Sequence, residues 1–337
     1  MAGEYAATMD KWRRDPQAFW LSAAEAIDWY DTPQNAFDPD AGAYGRWFPD
    51  ALCNTCHNAV DRHLKTRATQ PAIIHDSPVT GTKSVITYAD LAARVEAMAA
   101  VFLSFGVAPG ERIIIYMPMI PEAAIAMLAA ARIGAVHSVV FGGFAGKELA
   151  ARLDDADPSL IVAASCGIEP ARIVPYQPLV NDAKALAKGD PPVLYWQRDT
   201  HLADLSGEGD HHLNQLFDEA MAEGAGIPCE PLAGTDPLYI LYTSGTTGRP
   251  KGVVRDNAGH MVSLAWSMPN VYGTAPGEAF WAASDVGWVV GQSYIVYAPL
   301  LHGATTLFYE GKPVGTPDAG AFWRVISQHK AVSLFTA

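Results

Sequence analysis

Apolar positions along most of the chain follow a recurring alternation. From Pro71 onward, short runs of aliphatic and β-branched residues alternate with longer segments in which apolar positions recur every three to four residues. The short runs at 71–75, 84–88, 112–117, 136–141, 160–164, 192–196, 238–242, 279–282, 304–309 and 331–336 read as strands. Segments 121–133, 146–155, 180–187, 212–223, 258–271, 291–301 and 318–329 read as helices. Thr87 and Asp90 have the spacing of a capping box. It opens an amphipathic helix carrying Leu91, Val95, Met98 and Phe102 on one face, and Gly106 and Pro109-Gly110 end it. Several strands, such as Arg-Ile-Ile-Ile-Tyr at 112–116 and Leu-Tyr-Ile-Leu-Tyr at 238–242, are apolar throughout. Strands buried on both faces between helical crossovers have that pattern, and such crossovers make them parallel. The pattern predicts an α/β fold with mostly parallel sheets flanked by helices.

Ahead of this body, 15–30 reads as a helix and 31–45 as a Pro/Asp/Gly-rich irregular stretch. Residues 1–70 therefore form a helical and extended arm, and 71–337 the α/β body. The last strand ends at Ala337, directly behind a helix, with no turn or cap after it. A domain seldom stops on an unfinished buried strand, so a chain cut short is expected. Self-association through the uncovered apolar surface is expected with it.

Composition narrows the function. The 337 residues are half apolar and 18% charged, which excludes a disordered chain. Four cysteines are too few for a disulfide scaffold. With 36 acidic against 23 basic residues the net charge is −13, which disfavours nucleic acid and anionic membranes as partners. It leaves room for a small polyanion held at one locally basic pocket. Residues 1–14 carry no apolar targeting segment, and Gly291, Gln292, Pro299, His302 and Gly303 interrupt the uncharged run 286–309. A cytoplasmic protein without membrane spans is expected.

Four motifs carry candidate chemistry. Cys53-Asn-Thr-Cys56-His57 matches the pattern for covalent haem attachment, but no export signal accompanies it. Cys166 and Cys229 stand isolated in the sequence, so neither haem nor zinc is expected. Asn54 instead reads as the cap of a helix turning Cys56, Val60 and Leu64 into a core. Gly142-Gly143-Phe144-Ala145-Gly146 misses the dinucleotide spacing and reads as close strand–helix packing. His211-His212 beside Asp210 reads as a surface charge cluster. The fourth motif, residues 242–252 (Tyr-Thr-Ser-Gly-Thr-Thr-Gly-Arg-Pro-Lys-Gly), differs in kind. Its glycines let backbone N–H groups approach an anion, its hydroxyls donate to phosphate oxygens, and Arg249 and Lys251 supply positive charge. It is not a Walker A loop, because Arg249 follows Gly248.

The stretch 243–252 resembles the phosphate-loop signature of the adenylate-forming acyl-CoA synthetase superfamily. Trp47-Phe48, Asn54 and residues 58–63 resemble the N-terminal region of acetyl- and propionyl-CoA synthetases. The blocks 134–144 and 284–291 resemble two further shared segments, and 253–257 with His260 resembles propionyl-CoA synthetases. The resemblance implies the N-terminal domain of an enzyme that uses ATP and Mg²⁺ to convert propionate to an acyl-adenylate and then to acyl-CoA (propionate–CoA ligase). Acetyl-CoA synthetase activity and an inactive interaction module are the alternatives. Thr243, Ser244, Gly245, Thr246, Thr247, Gly248 and Lys251 would hold ATP phosphates. Trp288, Val289 and Val290 would line the acyl pocket, and Glu169, Pro170, Ala171 and Arg172 would meet CoA. Propionate, ATP and CoA are the implied partners. The superfamily's adenosine loop, hinge, catalytic Lys and small C-terminal domain would lie beyond residue 337. No catalytic or metal-ligating residue is therefore assigned, and the chain alone is expected to be inactive.

Overall fold

The computed structural model describes residues 2–224, 226–243, 250–312 and 315–336. Two helices open the chain, α1 (Ala2–Arg14) and α2 (Pro16–Ala24). Asp15 separates them: its carboxylate accepts from the Ala18 amide, and Pro16 supplies the preset φ of a first helical position. The single helix expected over 15–30 thus stops at Ala24. The polar α1 was not expected from the sequence. The pair β1 (Phe37–Asp38) and β2 (Arg46–Trp47) interrupts the irregular stretch, and β3 (Leu52–Cys53), α3 (Thr55–Ala59) and α4 (Leu64–Arg67) follow.

The body continues with β4 (Pro71–Ser77), β5 (Thr82–Thr87), α5 (Tyr88–Ser104), β6 (Arg112–Tyr116), α6 (Pro121–Arg132), β7 (Val136–Val139) and α7 (Gly146–Ala156). Next come β8 (Leu160–Ala164), the hairpin β9 (Cys166–Glu169) and β10 (Arg172–Pro175), α8 (Gln177–Leu186), β11 (Val193–Trp196) and β12 (Asp210–His212). Then follow α9 (Leu213–Glu223), β13 (Leu232–Ala233), β14 (Pro237–Thr243), β15 (Lys251–Asp256), α10 (Ala258–Asn270) and β16 (Ala279–Ala282). A π-helical segment (Gly291–Tyr297), α11 (Ala298–His302), β17 (Thr305–Tyr309), α12 (Ala321–His329) and β18 (Ala331–Phe335) complete the described chain.

Two sheets organise these elements. One has the order β12-β11-β8-β6-β7-β14-β15, parallel except where β15 returns antiparallel to β14. The other has the order β18-β16-β17-β4-β5, parallel except for the β4–β5 hairpin. The strands read as continuously apolar are the interior ones: Ile113, Ile114, Ile115 and Tyr116 of β6 are fully buried. α6 is covered on nearly every side, because its alanines let α3 and α5 approach closely. The capping box is present. The Asp90 amide donates to Thr87 Oγ1 at 3.1 Å, and the Thr87 amide donates back to Asp90 Oδ2 at 3.2 Å.

Three elements depart from the sequence reading. His211 and His212, read as part of a surface charge cluster, lie at the sheet edge in β12, a strand beside β11 that the sequence did not signal. The His211 ring packs edge-on against Phe105 at 4.8 Å, and His212 caps α9. An edge strand is held by backbone bonds on one side, so it needs no apolar pattern to be seen. Lys251–Asp256 is likewise an edge strand. Residues 291–301 divide into the π-helical segment and α11 rather than one α-helix. β18 is the outer strand next to β16, with Val332 52% exposed, which is the uncovered apolar strand expected there. Among the described residues, no helix is long and apolar enough to cross a membrane.

Candidate active site

β14 and β15 present the phosphate-loop sequence as the connection of a hairpin. Thr243 and Lys251 face each other across the antiparallel register, and both are exposed. Ser244, Gly245, Thr246, Thr247 and Gly248 lie outside the described residues. The stem below them is fixed from one side. Tyr242 donates its hydroxyl to Asp155 Oδ2 at 2.7 Å, and the Arg152 guanidinium lies 5.5 Å from the Tyr242 ring. Gly252 sits opposite Tyr242, where a Cβ would come within 3.0 Å of Ile240.

A cavity of about 320 Å³ opens between the two sheets. The hairpin β9–β10 forms one wall, with Glu169, Pro170 and Arg172 lining it and Ala171 exposed at the turn beside Pro170. Gly142 and Gly143 form a second wall, and Asp285 and Lys312 complete the rim. Arg198 ties the walls together. It pairs with Glu310 at 2.8 Å beyond the end of β17 and donates to the Cys166 carbonyl at the start of β9. The absence of side chains at Gly142 and Gly167 matters here, since a Cβ at either would collide with the Tyr176 hydroxyl. The glycines of 142–146 therefore serve close packing, as expected, and leave room for the cavity as well.

Charge at the rim is shared among three groups. Glu169 accepts from Arg172 at 2.9 Å and faces Lys312 at 3.7 Å; these cations, Arg172 first, hold its carboxyl below the usual carboxylate range. Arg172 and Lys312 are mostly exposed, at 69% and 64% of their side chains. Two cations share the outer rim with the Glu169 carboxylate, while Asp285 and the Arg198-paired Glu310 line the cavity behind them. Asp285 is the opposite case: burial pushes its carboxyl up to about 6, partly offset by the hydrogen bond from the Gly287 amide.

Trp288 does not line this cavity but packs beside Phe141, which does. Its ring lies 5.7 Å from Phe141 and 6.3 Å from Phe144, and it remains 48% exposed. Val289 is exposed beside it, and Val290 packs against the main core. The expected acyl residue Trp288 and the expected CoA residues Glu169, Pro170 and Arg172 thus both neighbour the 141–143 segment. Sequence reasoning passed over Asp285, Lys312, Arg198 and Tyr176. A lysine just beyond the end of a strand and an aspartate inside the family-like segment 284–291 were the available signals.

The haem-like pentapeptide disperses its chemistry. Cys53 and Cys56 are both fully buried, whereas half-buried His57 faces Asp28 at 3.8 Å. Asn54 caps α3 through the His57 amide, as expected. Its side-chain amide donates to the carbonyls of Ala131, Arg132 and Glu230. Cys229 is not isolated as the sequence suggested: its thiol, that of Cys56 and an Asp61 carboxylate oxygen lie within 4.8 Å of one another.

The mostly parallel α/β body agrees with a known family. The family model described as AMP-binding enzyme matches residues 60–337. The chain belongs to that family. A second model, acetyl-coenzyme A synthetase N-terminus, matches residues 5–59. Among relatives, acyl-CoA synthetase short-chain family member 3, mitochondrial, of Bos taurus is 49% identical over 99% of this chain and 49% of its own length. The human protein of the same name is 49% identical over 96% of this chain and 47% of its own. The propionate–CoA ligase of Salmonella typhimurium is 44% identical over 96% of this chain and 51% of its own. The chain spans about half the length of these curated relatives.

Proposed function

We propose that this chain carries the phosphate, acyl and CoA surfaces of a short-chain acyl-CoA synthetase acting on propionate. What supports the reading is the family match over residues 60–337, together with a cavity edged by Arg172 and Lys312 in the same α/β body as the hairpin stem. The names of the bacterial relatives support propionate. The chemistry begins from a carboxylate, a poor electrophile because its leaving group would be oxide. Transfer to the α-phosphate of ATP gives an acyl-adenylate and pyrophosphate, and attack by the CoA thiol releases AMP. Thr243, Ser244, Gly245, Thr246, Thr247, Gly248 and Lys251 would hold the phosphates that become pyrophosphate. A fixed lysine and hydroxyls neutralise the charge that develops there.

Arg172 and Lys312 would meet the CoA phosphates at the rim, joined by Glu169, Pro170 and Ala171. The cavity beside Gly142 and Gly143 would pass the thiol toward Phe141. Trp288, Val289 and Val290 would bound the short alkyl chain. Mg²⁺ would come with the nucleotide as its counter-ion. Among the described residues the grouping suited to a metal contains two thiols, which do not match its preference for oxygen ligands. Acetate is the second reading, favoured by the match of residues 5–59 to the acetyl-coenzyme A synthetase model. The proposal retains a cytoplasmic location, although the animal relatives are named mitochondrial; fractionation of the native host distinguishes the two.

The test is ATP–pyrophosphate exchange with acetate, propionate and butyrate by the whole enzyme, since residues 1–337 alone are expected to be inactive, beside calorimetric titration with CoA. Highest kcat/KM for propionate, with CoA binding that weakens as salt rises, is expected. Better exchange with acetate transfers the assignment to the second reading. No exchange with any acid and no CoA binding overturns both.

A further inference from the structure

We propose that Cys56 and Cys229 form a reversible disulfide under two-electron oxidants such as hydrogen peroxide, clipping α3 to the segment that leads into β13. The two thiols are 173 residues apart in sequence, yet the backbone around each is tied to the same helix end. Arg132, the last residue of α6, donates from Nε to the Ile227 carbonyl at 2.6 Å, and its own carbonyl accepts from the Glu230 amide at 2.8 Å. Cys229 lies between those two anchors. On the other side, the Asn54 amide bonds the carbonyls of Ala131, Arg132 and Glu230, fixing the N-terminus of α3 just before Cys56. The Sγ atoms consequently lie within 4.8 Å of one another, close enough for side-chain rotation and a small backbone adjustment to bring them into bond.

A bound divalent cation is the competing use of two thiols and a carboxylate. The Arg132 guanidinium already fills that role: it donates to Asp61 Oδ2 at 3.0 Å and lies 3.7 Å from the Cys56 sulfur. A second cation placed among these groups would be repelled by it. Oxidation meets no such obstacle, because a disulfide is neutral and Arg132 keeps Asp61 and Glu96. The order of events follows exposure. Cys229 is partly exposed and Cys56 fully buried, so Cys229 meets the oxidant. Its sulfur attacks one peroxide oxygen; an S–O bond forms, the O–O bond breaks, and the hydroxide released takes the thiol proton to become water. Cys56 then attacks that sulfur; the S–S bond forms, the S–O bond breaks, and a second water leaves with the Cys56 proton. Two thiols and one peroxide give one disulfide and two waters. Burial and the neighbouring Cys56 and Asp61 hold the Cys229 thiol protonated, which makes this a slow clip rather than a fast sensor.

The reduced chain is treated with hydrogen peroxide, quenched, unfolded and alkylated, and its peptides are mapped. Alkylatable thiols should fall from four to two, with the Cys56 and Cys229 peptides linked and released by dithiothreitol. The melting temperature should rise by about 5 °C or more, since closing so long a loop restricts the unfolded chain. Cys229→Ser, chosen because the site is partly exposed, should abolish both the link and the rise. Linkage of another pair, sulfinic acid at Cys229 with Cys56 still alkylatable, or stoichiometric Zn²⁺ held by the reduced chain overturns the proposal.

Discussion

Arg132 and Asp61 form a two-pronged ion pair, Nη1 to Oδ2 and Nη2 to Oδ1, each at 3.0 Å, with Arg132 only 3% exposed. Glu96 of α5 adds a third contact at 3.2 Å. The pair joins the end of α6 to the turn after α3, and so ties the first sixty residues to the α/β body. Removing the arginine strands two carboxylates against the core. Arg132→Ala should therefore cost about 3–5 kcal/mol of stability, and Asp61→Asn less, because Glu96 still pairs the guanidinium. Urea unfolding of the three chains measures this. A loss under 1 kcal/mol for Arg132→Ala would show that the pair holds nothing together.

The rim of the cavity offers a charge-reversal test. Glu169 occupies both Arg172 and Lys312, so it competes with any phosphate for them. Glu169→Gln should tighten CoA binding several-fold, whereas Lys312→Ala should weaken it by about fivefold to tenfold, with a shallower salt dependence. Calorimetric titration at two salt concentrations reads both changes. Tighter binding by Lys312→Ala would place the CoA phosphates elsewhere.

Trp288 tests the acyl pocket. Replacing its indole by glycine removes a wall beside Phe141. The kcat/KM ratio of butyrate to propionate in pyrophosphate exchange should rise about tenfold or more, in keeping with the 1–3 kcal/mol that one methylene contributes to discrimination. An unchanged ratio would show that Trp288, despite its contact with Phe141, bounds no part of the substrate.

His260 gives a pH dependence of definite sign. It is buried among Tyr239, Ser293 and Tyr297, and burial lowers its pKa from 6.5 to about 3. The unfolded chain therefore takes up a proton near pH 6.5 that the folded chain refuses until far lower. The stability linked to this group is complete above pH 6.5 and is lost as pH falls toward the folded value. Relative to His260→Gln, the unsubstituted chain should lose about 2 kcal/mol between pH 7.5 and pH 5. Denaturant titrations at the two pH values provide the difference. An identical pH response in both chains would mean that His260 takes up its proton as readily in the fold as in the unfolded chain.

Much of the architecture was legible because burial on both faces leaves a one-dimensional mark. The runs 112–116, 160–164 and 238–242 cannot be solvated on either side, so an uninterrupted apolar pattern identified them as interior strands. Local capping geometry was equally visible: Thr87 with Asp90, and Asn54 before α3, satisfy helix amides within three residues. The donor-rich stretch 243–252 stood out in the sequence, but its role as a phosphate loop remains a proposal. Edge strands left no such mark. β12 and β15 are held on one side only, and their side chains are free to be histidine, lysine or arginine.

What the tertiary structure decided were the meetings of residues far apart in the chain. Glu169 and Lys312, Arg198 and Glu310, and Cys56 and Cys229 each come together because two sheets and the end of α6 set their positions. Each pair is separated by more than a hundred residues. Sequence periodicity reports which face of an element is buried, because that depends on neighbours three or four positions away. It carries no term for which two buried or rim positions will touch, since that depends on strand order and helix packing across the whole chain.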